Sequence, residues 1–360
     1  MSKGMAGSAS GAVYLGVDYN TQGPTNGRQS TRVQSRKTFT KGLFVADLAH
    51  MPASTCGLWP AFWMFGPNWP MGGEIDIIEG VHNSESNSVT LHTGPGCQVS
   101  NQGAIKTTTF VGSNCNGNDG CGQATEDNQN YGDGFNANGG GIYAMDWTDE
   151  HMAVWYFPRH RIPKDILNGT PSPDVKTWGQ PSARFSSGGS CNLNDHFSEN
   201  QIVFNIDFCG SWAGSVWNQN SECSALAPTC NEYVANNPGA FWNAFWMINS
   251  VKVYKQSSDG GASQPTGSPT LPTGSPQPTI VVPSGPPSQS SAAAPPPVSQ
   301  PEPQNPNTQS GGQQVNQGAD GSLTVGGPQG PPPPPPPPPQ SNGQSVSEGE
   351  DGSLRVGVGL

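Results

Sequence analysis

The chain has 360 residues, a formal net charge of −11 at pH 7 and only 11% charged residues. An acidic chain without Lys and Arg clusters is a poor candidate for binding the phosphate backbone of nucleic acid. It also contains no apolar run of about 18 residues that could span a membrane. Low charge with abundant Gly, Asn, Ser and Thr is typical of a secreted, β-rich protein rather than a helical cytosolic one.

Composition divides the chain into two parts. All aromatic residues lie at or before Tyr254, whereas the segment 257–360 has none and is rich in Pro. Such a segment cannot bury enough apolar surface to offset the entropy of ordering it. We therefore expect a poorly defined N-terminus over 1–10, one folded domain over 11–256 and a disordered Pro/Ser/Gly/Gln-rich tail over 257–360.

The domain alternates short apolar segments with Gly, Pro, Asn and Asp, which predicts many short strands and few helices. Several segments alternate apolar and polar positions, the period of a half-buried strand. In chain order, the predicted strands are Arg32–Phe39, Gly42–Leu48, Glu74–Glu79, Ser88–Thr93, Gly141–Asp146, His151–Pro158, Gln201–Phe208 and Ala244–Tyr254, and the one predicted helix is Cys230–Asn236. This pattern is typical of an all-β sandwich or barrel.

The eight cysteines, an even number, lie in loops rich in Asn and Gly. They are Cys56, Cys97, Cys115, Cys121, Cys191, Cys209, Cys223 and Cys230. None forms a Cys-x-x-Cys pair, so a metal site is the weaker interpretation and four disulfides in an oxidising compartment the stronger. The pairing stays open, with the short-range bridges Cys115–Cys121 and Cys223–Cys230 expected to form most easily. Because no signal peptide precedes this exported type of domain, we expect a missing N-terminal segment.

Three carboxylates occur within six residues of an otherwise apolar segment, Glu74-Ile-Asp76-Ile-Ile-Glu79. Burying unpaired charges costs on the order of several kcal/mol, so acids on a buried strand indicate a functional site. A solvated edge strand and a calcium loop are the alternatives, but calcium loops do not interleave Ile in this way. On a regular strand Glu74 and Asp76 share a face that Glu79 does not. A β-bulge near Ile77 or Ile78 would place all three on one face.

This motif resembles the active-site signature of glycoside hydrolase family 16, in the bulged form of its laminarinase-type members. The similarity to the fungal endo-1,3(4)-β-glucanase branch extends from about Gly11 to Lys255 and includes the cysteine pattern. Its supporting blocks are Cys56–Trp63, Leu91–Gly94, Phe135–Gly141, Asp207–Trp212 and Ser250–Tyr254. The resemblance implies a concanavalin A-like β-jelly-roll sandwich of two curved antiparallel sheets, with the substrate cleft on the concave face. It also implies that outer strands before Gly11 are absent, which would expose a sheet edge.

The resemblance also implies roles for the acids. Glu74 is expected to be the nucleophile and Glu79 the acid/base, while Asp76 adjusts their protonation and orientation. Retaining glycosidases hold the two reacting carboxyls about 5–5.5 Å apart.

Aromatic rings should line a sugar-binding cleft, because the C–H faces of sugars stack on them. The resemblance implies this role for Trp63 and Trp69, Trp212 is a candidate for it, and His92 is expected near the acids as a hydrogen-bond partner. Trp59 and Trp217 are further candidates. For each Trp the alternative is core packing, and for His92 it is a structural role.

Together these features predict a retaining endo-β-glucanase, extracellular or in the cell wall, that acts on 1,3- or mixed 1,3;1,4-β-glucans. We expect a monomer that needs no cofactor or metal, binds no nucleic acid and has no membrane span. Two alternatives stay open. One is a transglycosylase of the same family, which shares the glycosyl-enzyme intermediate, and the other is a non-catalytic glucan-binding wall protein.

Overall fold

The structure, a computed structural model, describes residues 4–9, 11–170, 172–187, 190–255, 345–348 and 354–357. Two antiparallel sheets pack face to face as a β-jelly-roll sandwich. The eight-stranded sheet contains, in spatial order, β1 (Ala6–Ala9), β2 (Ala12–Leu15), β15 (Trp246–Tyr254), β4 (Gly42–His50), β11 (Gly141–Trp147), β12 (His151–Pro158), β13 (Ala183–Ser187) and β8 (Val99–Ser100). The seven-stranded sheet contains β3 (Arg32–Gln34), β14 (Gln201–Phe208), β5 (Leu58–Phe65), β6 (Glu74–Glu79), β7 (Ser88–His92), β10 (Cys121–Thr125) and β9 (Thr108–Phe110).

Every predicted strand is present in the sandwich, although several bounds differ. The predicted strand Arg32–Phe39 ends at Gln34, because at Ser35 the side-chain hydroxyl, and not a backbone carbonyl, accepts the Ile202 N–H of β14 at 2.9 Å. Strand β5 was not among the predicted strands, because its Trp and Pro residues obscure the alternation. The sheets also begin before residue 11, since β1 pairs with β2.

The helices of the described residues are short. They are α1 (Gly132–Ala137), α2 (Lys164–Leu167), α3 (Leu193–His196), α4 (Gly210–Ala213), α5 (Ser221–Ser224) and α6 (Cys230–Asn236), with 3₁₀ turns at Arg159–Arg161, Val175–Thr177, Trp217–Gln219 and Pro238–Phe241. The predicted helix α6 is confirmed with the same bounds, and its N-cap Thr229 accepts the Glu232 amide. The expectation of a single helix is wrong, because elements of four to six residues are too short to show a helical period in the sequence. None of the described helices has the length and apolarity to cross a bilayer.

The main core lies between the two sheets. On β5, Leu58, Phe62 and Met64 point into it, and Phe62 stacks on Phe204 of β14 at a centroid distance of 4.3 Å. Phe204 in turn meets Trp246 of the other sheet edge-on at 5.3 Å. The alternate residues of β5 therefore face away from the core.

A second apolar cluster covers the outer face of the eight-stranded sheet. Trp155 of β12 packs there edge-on against Trp178. Its neighbours Val154 and Tyr156 point into the main core. Because both faces of β12 are covered, this strand is almost continuously apolar, whereas a half-solvated strand would alternate.

All eight cysteines are paired, which confirms the prediction of four disulfides. The bridges are Cys56–Cys223, Cys97–Cys191, Cys115–Cys121 and Cys209–Cys230. The predicted Cys115–Cys121 bridge is confirmed, and the predicted Cys223–Cys230 bridge is wrong. Packing places Cys230 at the start of α6 against Cys209, which follows β14, so closeness in sequence does not decide the partner.

Part of the predicted tail is described. Strands β16 (Ser345–Glu348) and β17 (Leu354–Gly357) pair antiparallel. The rest of the tail predicted to be disordered over 257–360 lies outside the described residues.

Candidate active site

Strand β6 carries a β-bulge at the predicted place. Asp76 lies opposite Trp63 of β5, and Ile78 lies opposite the residue just before Trp63, so Ile77 is the extra residue. The register against β7 also shifts between Asp76 and Glu79. The bulge predicted near Ile77 or Ile78 is therefore confirmed.

The bulge separates the acids from the isoleucines of the same strand. Ile75, Ile77 and Ile78 are buried in the main core. Glu74 and Glu79 are partly exposed on the opposite, outer face of the seven-stranded sheet. Asp76 lies between them and is 2% exposed. The three acids therefore form one row along the strand.

Each glutamate accepts a hydrogen bond from an indole N–H. Trp69, in the loop before β6 and 44% exposed, donates to Oε2 of Glu74. Trp59, on the neighbouring strand β5, donates to Oε1 of Glu79 at 2.7 Å. Each bond fixes one carboxyl oxygen of its glutamate.

His92, at the end of β7, pairs with the central acid. Its Nε2 lies 3.3 Å from Oδ2 of Asp76, and its Nδ1 lies 2.9 Å from the carbonyl of Gly117. A carbonyl can only accept, so Nδ1 carries a proton and Nε2 faces the carboxylate. The prediction of His92 as a neighbour of the acids agrees with this position.

Burial and mutual repulsion raise the pKa values of the acids. Burial raises the pKa of Glu79 to about 7, against the opposing bond from Trp59, and the charge of Glu74 adds to the rise. Burial also raises the pKa of Glu74, although the charge of His92 and the bond from Trp69 oppose the rise. At mildly acid pH, Glu79 therefore holds its proton.

Asp76 and His92, which form a pair between the two glutamates, also hold a proton. Burial raises the pKa of Asp76 well above its ordinary value, and the charges of both glutamates add to this. Burial opposes the charged form of His92, but the bond and charge of Asp76 outweigh it and raise the pKa of His92 to about 10. The pair of Asp76 and His92 therefore holds a proton beside Glu74.

The other predicted sugar-binding residues fall into two groups. Trp63, on the same face as the acids, donates to Oδ1 of Asn205 at 2.8 Å. Trp212 meets Trp59 edge-on at a centroid distance of 5.8 Å. Trp217 is 1% exposed and donates to the carbonyl of Ala227, so it belongs to the core and not to the cleft.

Several residues of this face were not predicted. The guanidinium of Arg32 lies 4.9 Å from the ring centroid of Trp63. Burial raises the pKa of Asp207, against the charge of Arg32. Asn205 and Asp207 are polar residues within the apolar strand β14, the same signal that marks the acids of β6. Their relation to the acids depends on strand order, which sequence alone does not provide.

Two groups of metal-ligand side chains meet in the described part of the chain. Cys97, Cys191 and His196 form one, but the two sulfurs are already joined in a disulfide. The other consists of Glu74, Asp76 and His92. In this group, Nε2 of His92 faces Oδ2 of Asp76 at 3.3 Å, and Oε2 of Glu74 accepts the indole N–H of Trp69.

Residues 2–254 match the family described as the XgeA-like, catalytic GH16 domain. The chain belongs to glycoside hydrolase family 16. Among family 16 relatives, the endo-1,3(4)-beta-glucanase of Arthroderma benhamiae is 44% identical over 263 residues, which cover 71% of this chain and 57% of that protein. The endo-1,3(4)-beta-glucanase xgeA of Emericella nidulans is 43% identical over 258 residues, covering 68% of this chain and 40% of that protein. The chain thus spans about half the length of these relatives.

Two solved family 16 structures are similar across the sandwich. Laminarinase 16A from Phanerochaete chrysosporium, with 6-O-glucosyl-laminaritriose in donor and acceptor sites, is 40% identical with a TM-score of 0.65. An elongating β-1,3-glucosyltransferase of family 16 is 38% identical with a TM-score of 0.64. Each match covers 70% of this chain and 86% of the other. The same fold therefore serves both hydrolysis and transfer.

Proposed function

We propose that this domain is an endo-1,3(4)-β-glucanase that cleaves 1,3- or mixed 1,3;1,4-β-glucans with retention of configuration. The observation that carries the proposal is the row of acids on bulged strand β6, with the pKa of Glu79 raised to about 7. Retaining hydrolysis and transglycosylation both need one glutamate ionised and the other protonated at the same pH. The similarity to named endo-1,3(4)-β-glucanases supports the substrate class.

In the first step, the free oxygen of Glu74 attacks the anomeric carbon of the sugar. The glycosidic C–O bond breaks, and the proton of Glu79 passes to the departing oxygen. A covalent glycosyl-enzyme ester forms on Glu74. Trp69 supports this step because its hydrogen bond holds the other oxygen, Oε2, in place.

In the second step, Glu79 acts as the base. The charge of Glu74 contributes to the raised pKa of Glu79, and the ester carries no such charge, so the pKa of Glu79 falls once the ester forms. The ionised Glu79 then takes a proton from water, whose oxygen attacks the anomeric carbon and releases Glu74. Two displacements at one carbon restore the β configuration.

Transglycosylation is the second candidate, because a sugar hydroxyl can replace water in the second step. The similarity to the elongating β-1,3-glucosyltransferase, at 38% identity, supports transglycosylation as a candidate. We further propose that the domain acts outside the cell or in the cell wall, since its four disulfides suit an oxidising compartment. It should act as a monomer, because one chain supplies every group used above.

The test is a product assay on laminarin and lichenan, with and without an added acceptor oligosaccharide. Endo-hydrolysis predicts a ladder of internal fragments whose new reducing ends are β by NMR at early times. Products longer than the substrate would favour the transglycosylase. Binding without any cleavage, or α products at early times, would contradict the proposal.

A further inference from the structure

The bulge of β6 is held by the amide of a buried asparagine. Asn87, immediately before β7 and 4% exposed, accepts the Glu79 backbone N–H on Oδ1 at 3.0 Å. Its Nδ2 donates to the carbonyl of Ile77 at 2.8 Å. The two contacts demand one acceptor and one donor, so they fix the orientation of the amide. Asn87 thus bridges the two sides of the extra residue.

Asn87 is in turn held in place by Asn130. The backbone N–H of Asn87 donates to Oδ1 of Asn130 at 2.8 Å. Asn130 donates from Nδ2 to the Thr125 hydroxyl at 2.7 Å and accepts the hydroxyl of Tyr143 on its carbonyl. Tyr143 lies on β11 of the opposite sheet. The support therefore runs from the second sheet to the backbone of Glu79.

The position of Glu79 depends on the geometry of the bulge. A bulge removes backbone groups from the regular ladder, and buried groups without a partner are costly. If the same sequence formed a regular strand with no bulge, Glu79 would point to the face opposite Glu74. Whatever stabilises the bulge therefore decides whether Glu79 lies beside Glu74 or in the core.

We infer that Asn87 is a positioning residue for the acid/base Glu79. The inference rests on the proposed function, because it needs Glu79 to transfer the proton. Asn87 touches no substrate in this account and acts only through the backbone of Ile77 and Glu79. Its loss should reduce proton transfer to the leaving group while sparing chemistry that needs no proton.

The chain offers a matched control. Asn136 makes the same pair of contacts to the backbone of Met51, accepting its N–H at 3.0 Å and donating to its carbonyl at 2.9 Å. Met51 follows β4 of the eight-stranded sheet, whereas the bulge lies in the seven-stranded sheet. Asn87→Ala and Asn136→Ala therefore remove equivalent hydrogen bonds, and only the first touches the bulge.

The experiment measures kcat/KM on laminarin and on an aryl β-laminaribioside with an activated leaving group. A misplacement of about 1 Å can cost about 100-fold, so Asn87→Ala should lose about that factor on laminarin and less than about 10-fold on the aryl substrate. In the Glu79→Gln background, Asn87→Ala should cost little more on laminarin, since the group it positions is gone. Asn136→Ala should change both substrates alike.

Equal losses on both substrates, or additive losses in the Asn87/Glu79 double variant, would overturn the inference. If Asn87→Ala does not fold, Asn87→Asp replaces it: an ionised carboxyl keeps the acceptor for Glu79 but cannot donate to Ile77, and the same substrate dependence is expected. Failure of Glu79→Gln to discriminate the two substrates would reject the proposed function. Discrimination by Glu79→Gln with Asn87→Ala behaving like Asn136→Ala would reject the positioning role alone.

Discussion

The indole nitrogen of Trp59 donates a 2.7 Å hydrogen bond to Oε1 of Glu79 from the adjacent strand β5. The bond favours the ionised carboxyl and so limits the rise in the pKa of Glu79 that burial causes. Without it, Glu79 would hold its proton more tightly and give it up less readily to the departing oxygen in the proposed first step. If Glu79 is the acid, as proposed above, its bond with Trp59 should therefore set the upper end of the pH range of activity.

Trp59→Phe should move the basic limb of the pH profile upward. Removing a donor to the ionised form raises the pKa of Glu79, so the protonated acid persists to higher pH. A hydrogen bond to a charged group contributes about 1.5 kcal/mol or more, which corresponds to about one pKa unit. The basic limb, which reflects the Glu79 pKa of about 7, should therefore move upward by about one pH unit. The measurement is kcat/KM on laminarin against pH.

The control for this shift is Trp178→Phe. Trp178 also donates to a carboxylate, Oδ2 of Asp165 at 2.9 Å, but in the apolar cluster outside the sandwich. Trp178→Phe should leave the basic limb of the pH profile unchanged. A limb that stays put in Trp59→Phe, or moves equally in both variants, would mean that Trp59 does not govern the pKa of Glu79.

Glu79→Gln should stabilise the fold at high pH. Because the folded-state pKa of Glu79 is raised from 4.5 to about 7, the native state binds the proton more tightly than the unfolded chain. The stabilisation that this tighter proton binding gives to the native state is complete below about pH 4.5 and is lost as the pH rises through about 7. The variant should gain on the order of 1–3 kcal/mol over wild type at pH 8 and little at pH 4.

Urea unfolding at pH 4 and pH 8 measures whether the gain in stability is larger at the higher pH. Glu126→Gln, at an exposed position, serves as the matched substitution. A gain that is the same at pH 4 and pH 8 would show that the carboxyl of Glu79 is not destabilised by burial.

The bulge illustrates what the sequence could predict. The five-residue spacing of Glu74 and Glu79 places them on one face only if the strand contains one extra residue, so the bulge follows from the motif itself. Helix α6 was equally predictable, because Thr229 stands at its N-cap. These features depend on neighbouring residues alone.

Features that depend on distant packing could not be predicted in this way. Cys223 bridges to Cys56 across 167 positions, and nothing local distinguishes that partner from Cys230. Arg32 reaches Trp63 only because β3 and β14 pair beside β5. Asn87 meets the bulge only because β7 pairs with β6.

The disulfides should contribute unequally to stability. Under the chain-entropy model, a bridge spanning 167 positions contributes about 5 kcal/mol, and the Cys115–Cys121 bridge spanning 6 contributes about 2 kcal/mol. Replacing Cys56 and Cys223 with Ala should therefore lower the free energy of unfolding more than replacing Cys115 and Cys121. Equal losses in denaturant titrations without reductant would contradict the expected order.

Deleting residues 260–360 should leave hydrolysis of soluble glucan unchanged. The segment has no aromatic residue on which a sugar could stack. The comparison is kcat/KM on laminarin for the full chain and the shortened one. A large loss on soluble substrate would assign the tail a part in catalysis, whereas a loss confined to insoluble wall glucan would agree with a spacer.

The central claim is that Glu74 forms the covalent intermediate. The most direct test treats the full chain with an activated 2-deoxy-2-fluoro-β-laminaribioside, which slows the second step, and locates the trapped sugar by peptide mass spectrometry. The account predicts one label, on the carboxyl of Glu74, and none in Glu74→Gln. A label on any other residue, or turnover of laminarin by Glu74→Gln at the wild-type rate, would contradict it.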